Sequence, residues 1–195
     1  MKRVCVFCGS SLGRDPRHRE AAVALAGALV GRGLGLVFGG GSVGLMGVLA
    51  DAVLAKGGEA IGVIPHGLAA REVAHRGLSD LRVVPSMHAR KSLMADLSDA
   101  FLALPGGFGT FEELFEVVTW AQLGIHRKPI GLLNVAGYYD SLIRFFDHAV
   151  AEGFASADNR GLVLIADEPD ALLDRLAQQQ PPDRPEWITP EEGRH

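Results

Sequence analysis

Short, mainly apolar runs alternate with longer stretches of helical periodicity along the chain. Runs at residues 4–7, 34–38, 60–64, 81–84, 101–104, 130–133 and 162–165 read as strands. Between them, stretches at 17–30, 44–55, 87–97, 111–123, 139–151 and 171–179 read as helices. The first helix carries its own start signal, because Asp15-Pro16 supplies an N-cap followed by proline at the first helical position. Gly31 stops it, and Gly57-Gly58 stops the second. Residues 66–79 are polar and less regular. Strands apolar throughout are buried on both faces, as in a parallel sheet. The pattern therefore predicts an α/β fold: Rossmann-like and doubly wound, a mainly parallel sheet with helices on both faces. Residues 1–180 read as a single nucleotide-binding domain. Residues 181–195, with four prolines and little periodicity, read as a surface or disordered tail.

Composition narrows the function. Nineteen Lys and Arg against 23 Asp and Glu leave a net charge of −4, and no basic block stands out, which argues against nucleic-acid and membrane-surface partners. No apolar run approaches the ~18 residues of a membrane span. The first residues pass straight into a strand without a secretory signature, and two cysteines make no disulfide scaffold, so a cytoplasmic location is expected. Cys5 and Cys8 form a C-x-x-C, but an odd spacing on a strand sends the side chains to opposite faces. The seven histidines show no metal-ligand spacing, and no metal is expected.

The 25 glycines cluster, and three of the clusters each end a predicted strand. Cys8-Gly9-Ser10-Ser11 follows the first and Gly39-Gly40-Gly41 the second. Pro105-Gly106-Gly107-Phe108-Gly109-Thr110 follows the run at 101–104. Ligands of doubly wound folds bind at that edge, where amides unshielded by Cβ atoms and helix N-termini suit phosphate. There is no Walker A lysine, and the first loop is not G-x-G-x-x-G, which leaves a mononucleotide or sugar phosphate. Thr110 and Glu113 have capping-box spacing, so Glu113 could reach back to an amide; an anionic ligand would use those same amides. In Met87-His88-Ala89-Arg90-Lys91, helical spacing puts Met87, Arg90, Met94 and Leu97 on one stripe. A guanidinium then sits in an apolar stripe at the ligand edge, or its head snorkels to water. The same wheel turns Lys91 outward by about 100°.

Taken together, Pro-Gly-Gly-x-Gly-Thr-x-x-Glu from Pro105 to Glu113, Met-His-x-Arg-Lys from Met87 to Lys91, and Gly-Gly-Gly-x-x-Gly-Leu-Met-Gly from Gly39 to Gly47 resemble the Lonely Guy family. The opening Val4-Cys5-Val6-Phe7-Cys8-Gly9-Ser10-Ser11 and Thr119-Trp120-Ala121-Gln122-Leu123-Gly124 are similar to it too. Its members are cytokinin riboside 5′-monophosphate phosphoribohydrolases. The resemblance implies hydrolysis of the N-glycosidic bond of an N6-modified adenosine 5′-monophosphate, such as isopentenyladenosine monophosphate, to free base and ribose 5-phosphate. It also implies a homodimer and no cofactor. By position, Arg90 and Glu113 would be the catalytic pair. Glu72, Lys91, Gly107, Phe108, Gly109, Thr110 and Thr119 would contact nucleotide, with Gly106, Gly9, Ser10, Gly40, Gly41 and Met87 completing the expected site. The lysine decarboxylase label often given to members does not suit a chain of four lysines with no pyridoxal phosphate site around Lys91. The alternative is a non-catalytic nucleotide or cofactor carrier on the same fold.

Breaking a ribosyl C–N bond builds positive charge on the sugar, so a carboxylate is wanted there. Glu113 is expected to order ribose hydroxyls or water and stabilise that charge, while Arg90 anchors phosphate or assists departure of the base. The homodimer also has a reading in the residues. Phe111, Leu114, Phe115 and Val118 make a stripe that covers the sheet, leaving Val117, Trp120, Ala121 and Leu123 as surplus apolar surface for a second subunit, or for the tail with Trp187 and Ile188.

Overall fold

A computed structural model of the 195-residue chain describes residues 1–69, 73–78 and 80–179. Seven strands form one sheet: β1 (Arg3–Phe7), β2 (Gly35–Phe38), β3 (Ala60–Pro65), β4 (Asp80–Val84), β5 (Ala100–Ala103), β6 (Ile130–Leu133) and β7 (Val163–Ala166). Their order is β4-β3-β2-β1-β5-β6-β7 and every pairing is parallel, with Val4 opposite Leu36 on one side and Ala100 on the other. The chain builds outward from β1 to β4, then returns to place β5 on the other side of β1. The topological switch point therefore lies between β1 and β5.

Eight α-helices accompany the strands among the described residues: α1 (Pro16–Gly31), α2 (Gly44–Ala55), α3 (His66–Ala69), α4 (Met87–Asp96), α5 (Phe108–Leu123), α6 (Asp140–Ala151), α7 (Ala157–Arg160) and α8 (Pro169–Gln178). Strand alternation splits the core in two. Val4, Val6, Leu36 and Phe38 meet Leu25, Leu29, Leu49 and Leu172 from α1, α2 and α8. Cys5, Phe7, Val37 and Phe101 meet Met94, Leu114 and Val117 from α4 and α5. Cys5 and Cys8 fall in different clusters, both free thiols, as their odd spacing requires.

The Asp15 carboxylate accepts from the Arg17 amide at 3.0 Å, so the α1 start follows its sequence signal. Two expectations need correction. A four-residue helix, α3, lies in the stretch read as irregular. More consequentially, α5 starts at Phe108 with Gly107 as its N-cap, which puts Thr110 inside the helix and abolishes the Thr110–Glu113 capping box. The glycine that lets the preceding turn tighten against the chain after β1 is Gly106, on which a Cβ would stand 2.9 Å from the Gly9 nitrogen. Gly9 donates its N–H to the Pro105 carbonyl at 3.1 Å and lies against the Gly106 Cα. The tail at 181–195 lies outside the described residues.

Candidate active site

Because all strands run parallel, the loops after β1, β2 and β5 gather at one edge of the sheet. Between them opens a cavity of about 380 Å³. Backbone of the glycine loops and of the α5 start lines it at Gly9, Ser10, Gly41, Gly107, Phe108, Gly109 and Thr110, and apolar side chains line it at Val43, Met46, Ile64, Leu68 and Val73. Arg90 and Glu113 both reach it. The lining includes the first turn of α5, whose leading amides have no acceptor within the helix and whose dipole favours an anion.

Arg90 stands in the first turn of α4, which Ser86 caps by accepting the Ala89 amide at 3.1 Å. The guanidinium does not snorkel. It is buried, donates Nε–H to the Val63 carbonyl at 3.1 Å, and lies 3.4 Å from Glu113 Oε1. Glu113, in the second turn of α5, is as enclosed as its partner, both side chains being 11% exposed. Burial pushes the Glu113 carboxyl up to about 7; Arg90 opposes the shift and neighbouring Glu112 adds to it. A carboxyl that changes charge near neutrality, held against a fixed cation in a cleft, has the character of a reacting group.

Two glycines make room for side chains of the site. A Cβ on Gly39 would stand 1.9 Å from Arg90 Nη2, so only glycine lets the guanidinium lie under the end of β2. Likewise, a Cβ on Gly106 would stand 2.1 Å from Thr110 Oγ1. Gly39 was not among the expected residues. Strand alternation could have found it, since it follows Val37 onto the same face, the one that α4 covers.

The other expected residues divide. Gly9, Ser10, Gly41, Gly107, Phe108, Gly109 and Thr110 line the cavity with the pair. Gly106 and Gly40 stand behind it: Gly106 accepts a hydrogen bond from the Tyr138 hydroxyl, and the Gly40 carbonyl accepts the His75 amide at 2.8 Å. Met87 is exposed, with its sulfur 3.9 Å from Arg90 Nη1. Thr119 donates to the Phe115 carbonyl one turn back, away from the cavity. Glu72 lies outside the described residues.

Lys91 is not turned into water. Its ammonium lies 2.6 Å from Glu112 and 2.8 Å from Glu116, with the side chain 11% exposed. Burial works against its charge, but the two carboxylates outweigh it and its pKa is raised. The helical wheel placed Lys91 correctly relative to Arg90 but carried no information on what α5 sets opposite it. Residues missed by sequence reasoning are Cys8 and the apolar wall of Val43, Met46, Ile64, Leu68 and Val73, which look like ordinary core positions in the chain.

The fold and the cavity define a doubly wound α/β protein with an anion-suited crevice at its switch point and a buried guanidinium–carboxylate pair on the crevice wall. A family profile described as "Possible lysine decarboxylase" matches residues 46–176. A probable cytokinin riboside 5′-monophosphate phosphoribohydrolase of Oryza sativa subsp. japonica is 55% identical over 181 residues, covering 93% of this chain and 74% of the relative. A cytokinin riboside 5′-monophosphate phosphoribohydrolase of Arabidopsis thaliana is 53% identical over 180 residues, covering 92% and 83%. The chain belongs to this family, the Lonely Guy family that its motifs resemble. Among solved structures, the molybdenum cofactor carrier protein of Chlamydomonas reinhardtii superposes with a TM-score of 0.69, covering 91% of this chain and 99% of that one. At 22% identity that likeness shows the fold alone.

Proposed function

We propose that the protein hydrolyses the N-glycosidic bond of N6-modified adenosine 5′-monophosphates, the class of reaction named for its relatives, releasing free base and ribose 5-phosphate. The observation that carries this reading is the buried Arg90–Glu113 pair facing a cavity that the N-terminal turn of α5 also lines. In the proposed mechanism, the 5′-phosphate docks on the amides at the start of α5, and that remote binding orients the sugar. The apolar wall takes the base. As the C1′–N bond breaks, ionised Glu113 stabilises the oxocarbenium character of the ribose and orders the attacking water. The water oxygen goes to C1′, and a proton goes to the departing nitrogen. Arg90, held by Val63 and facing Glu113, keeps that carboxylate charged and oriented.

Purified protein without added metal or cofactor should release adenine-type base from isopentenyladenosine monophosphate or AMP and leave the nucleoside intact. Equal rates on nucleoside and monophosphate would sink the phosphate-docking step. Release from neither would favour the carrier reading. Lys91, clasped by two carboxylates, has no free amine for a pyridoxal aldimine, which speaks against reading the family description literally.

We also propose a homodimer in the cytoplasm. The sheet-facing residues of α5 are Thr110, Leu114, Val117 and Ala121, not the expected stripe through Phe115, which is 41% exposed. The neighbouring α6 has no buried residue, and Phe145 on it is 61% exposed. This apolar surface supports a second copy on α5 and α6. Two free, buried cysteines suit a reducing compartment. Among the described residues no helix is long and apolar enough to cross a membrane.

A further inference from the structure

The loop after β6 is built in an unusual way. Ala136 adopts left-handed angles (φ 54°, ψ 28°), which cost a residue with a Cβ about 1 kcal/mol, and Gly137 follows at φ 72°. Asn134 braces the turn from inside: its Oδ1 accepts the Tyr139 amide at 2.8 Å and its Nδ2 donates to Asp140 Oδ1 at 2.8 Å. The result is two adjacent tyrosines, Tyr138 and Tyr139, with ring centroids 4.9 Å apart, aimed at the glycine loop after β5. The Tyr139 hydroxyl donates to the Leu104 carbonyl at 2.6 Å, and the Tyr138 hydroxyl donates to the Gly106 carbonyl. Tyr139 is buried and its bond fastens the end of β5. Tyr138 is 41% exposed, so packing alone does not account for it.

Its acceptor explains it. In a planar trans peptide the Gly106 C=O and the Gly107 N–H point in opposite directions. Tying the carbonyl to Tyr138 therefore fixes the Gly107 N–H away from Tyr138. Gly107 lines the cavity, which neither Gly106 nor Tyr138 reaches; those two lie with His18 on an adjoining cleft of about 270 Å³, and Gly107 stands on the wall between the two spaces. A peptide between two glycines lacks the Cβ atoms that would resist its rotation, and a flipped unit would present an oxygen, not a hydrogen, to an anion. Donation to the carbonyl also polarises the unit and strengthens its N–H as a donor.

We infer that Tyr138 is a positioning residue for phosphate recognition, acting through the Gly106–Gly107 peptide to hold its N–H toward the 5′-phosphate. This rests on the proposed phosphoribohydrolase reading. Tyr138→Phe in the full chain keeps the ring contacts with His18 and Tyr139 and removes only the hydroxyl. Relative to wild type, KM for isopentenyladenosine monophosphate should rise about tenfold while kcat stays within about twofold. By calorimetry, the Kd of ribose 5-phosphate should rise in the same ratio, and inhibition by free adenine should not change. Unaltered ribose 5-phosphate affinity overturns the inference, as does equal weakening of adenine. If wild type binds ribose 5-phosphate but releases no base, the enzymatic reading fails and calorimetry alone still decides the role of Tyr138. A wild type that does not bind ribose 5-phosphate overturns both.

Discussion

The two helical layers over the sheet are built to different ends. On one side α1, α2 and α8 bury only apolar residues, among them Ala22, Leu25, Leu29, Leu49, Leu172 and Leu176, each at most 2% exposed. Opposite them, α4 and α5 enclose Arg90, Glu113 and Lys91, and α6 buries no residue at all. Enclosed charge costs stability unless it is paired, and apolar surface left in water costs it too. One layer therefore stabilises the domain, while the other carries the groups proposed to react and the surface proposed for a second copy. Burial raises the thiol pKa of Cys5 and Cys8 alike, whichever layer they face.

Substitutions should separate the layers sharply. The largest effect is expected on the charged side: Arg90→Ala or Glu113→Gln should lower turnover by at least ~10²-fold, with circular dichroism and product assays showing folded, inactive protein. Gly39→Ala should approach the loss of Arg90→Ala, because the new methyl displaces the guanidinium. Full activity in either would remove the functional assignment of that layer. On the apolar side the pattern inverts. Leu49→Ala leaves a cavity between α2 and the sheet and should cost about 2–5 kcal/mol by urea denaturation, with activity per folded molecule intact.

The charged layer should also govern the response to pH. A carboxyl raised to about 7 in the native state, against 4.5 as the ordinary value, binds its proton more tightly when folded. Its ionisation therefore destabilises the fold progressively as pH rises from 4.5 to 7, by up to about 3 kcal/mol. The stability of Glu113→Gln relative to wild type should climb across that window, and a flat difference would contradict the burial argument. If ionised Glu113 is the working form, kcat/KM should increase with pH through a midpoint near 7. A decrease through the same midpoint would make it the proton donor instead.

A smaller change is expected at the outer surface of the second layer. Phe145→Asp on α6 should convert a dimer of 20.7 kDa chains to monomer in sedimentation experiments while sparing the internal core. A dimer that survives moves the interface elsewhere. Smallest of all, Glu59→Gln at the exposed Arg3 pair should change stability by less than about 1 kcal/mol, since solvent screens that bridge.

Legibility in the chain followed the same division. The strands, the α2 and β6 boundaries, the Asp15 cap and the opposite facing of the cysteines depend on local periodicity and turn chemistry, and all could be read along the sequence. Glycine clusters at strand ends marked the edge where the cavity opens, because only glycine allows backbones as close as Gly9 and Gly106. The start of α5 was misread, since Thr110 and Glu113 mimic a cap that Gly107 supplies one turn earlier. A capping pattern is short enough to occur inside a helix.

By itself, then, the sequence determined the alternation of strands and helices, the sheet edge at which the cavity opens, and the residue types gathered there. Only the tertiary structure decided which side of α5 meets the sheet, that Arg90 turns inward to Val63 and Glu113, that Lys91 lies between Glu112 and Glu116, and that Tyr138 holds the Gly106 carbonyl. The physical reason is range. Periodicity and capping act within a few residues, whereas the Arg90–Val63 bond spans 27 positions and the Tyr138–Gly106 bond 32. Such partners have no local preference for each other, and they meet only because the packing of whole elements against the sheet sets them side by side.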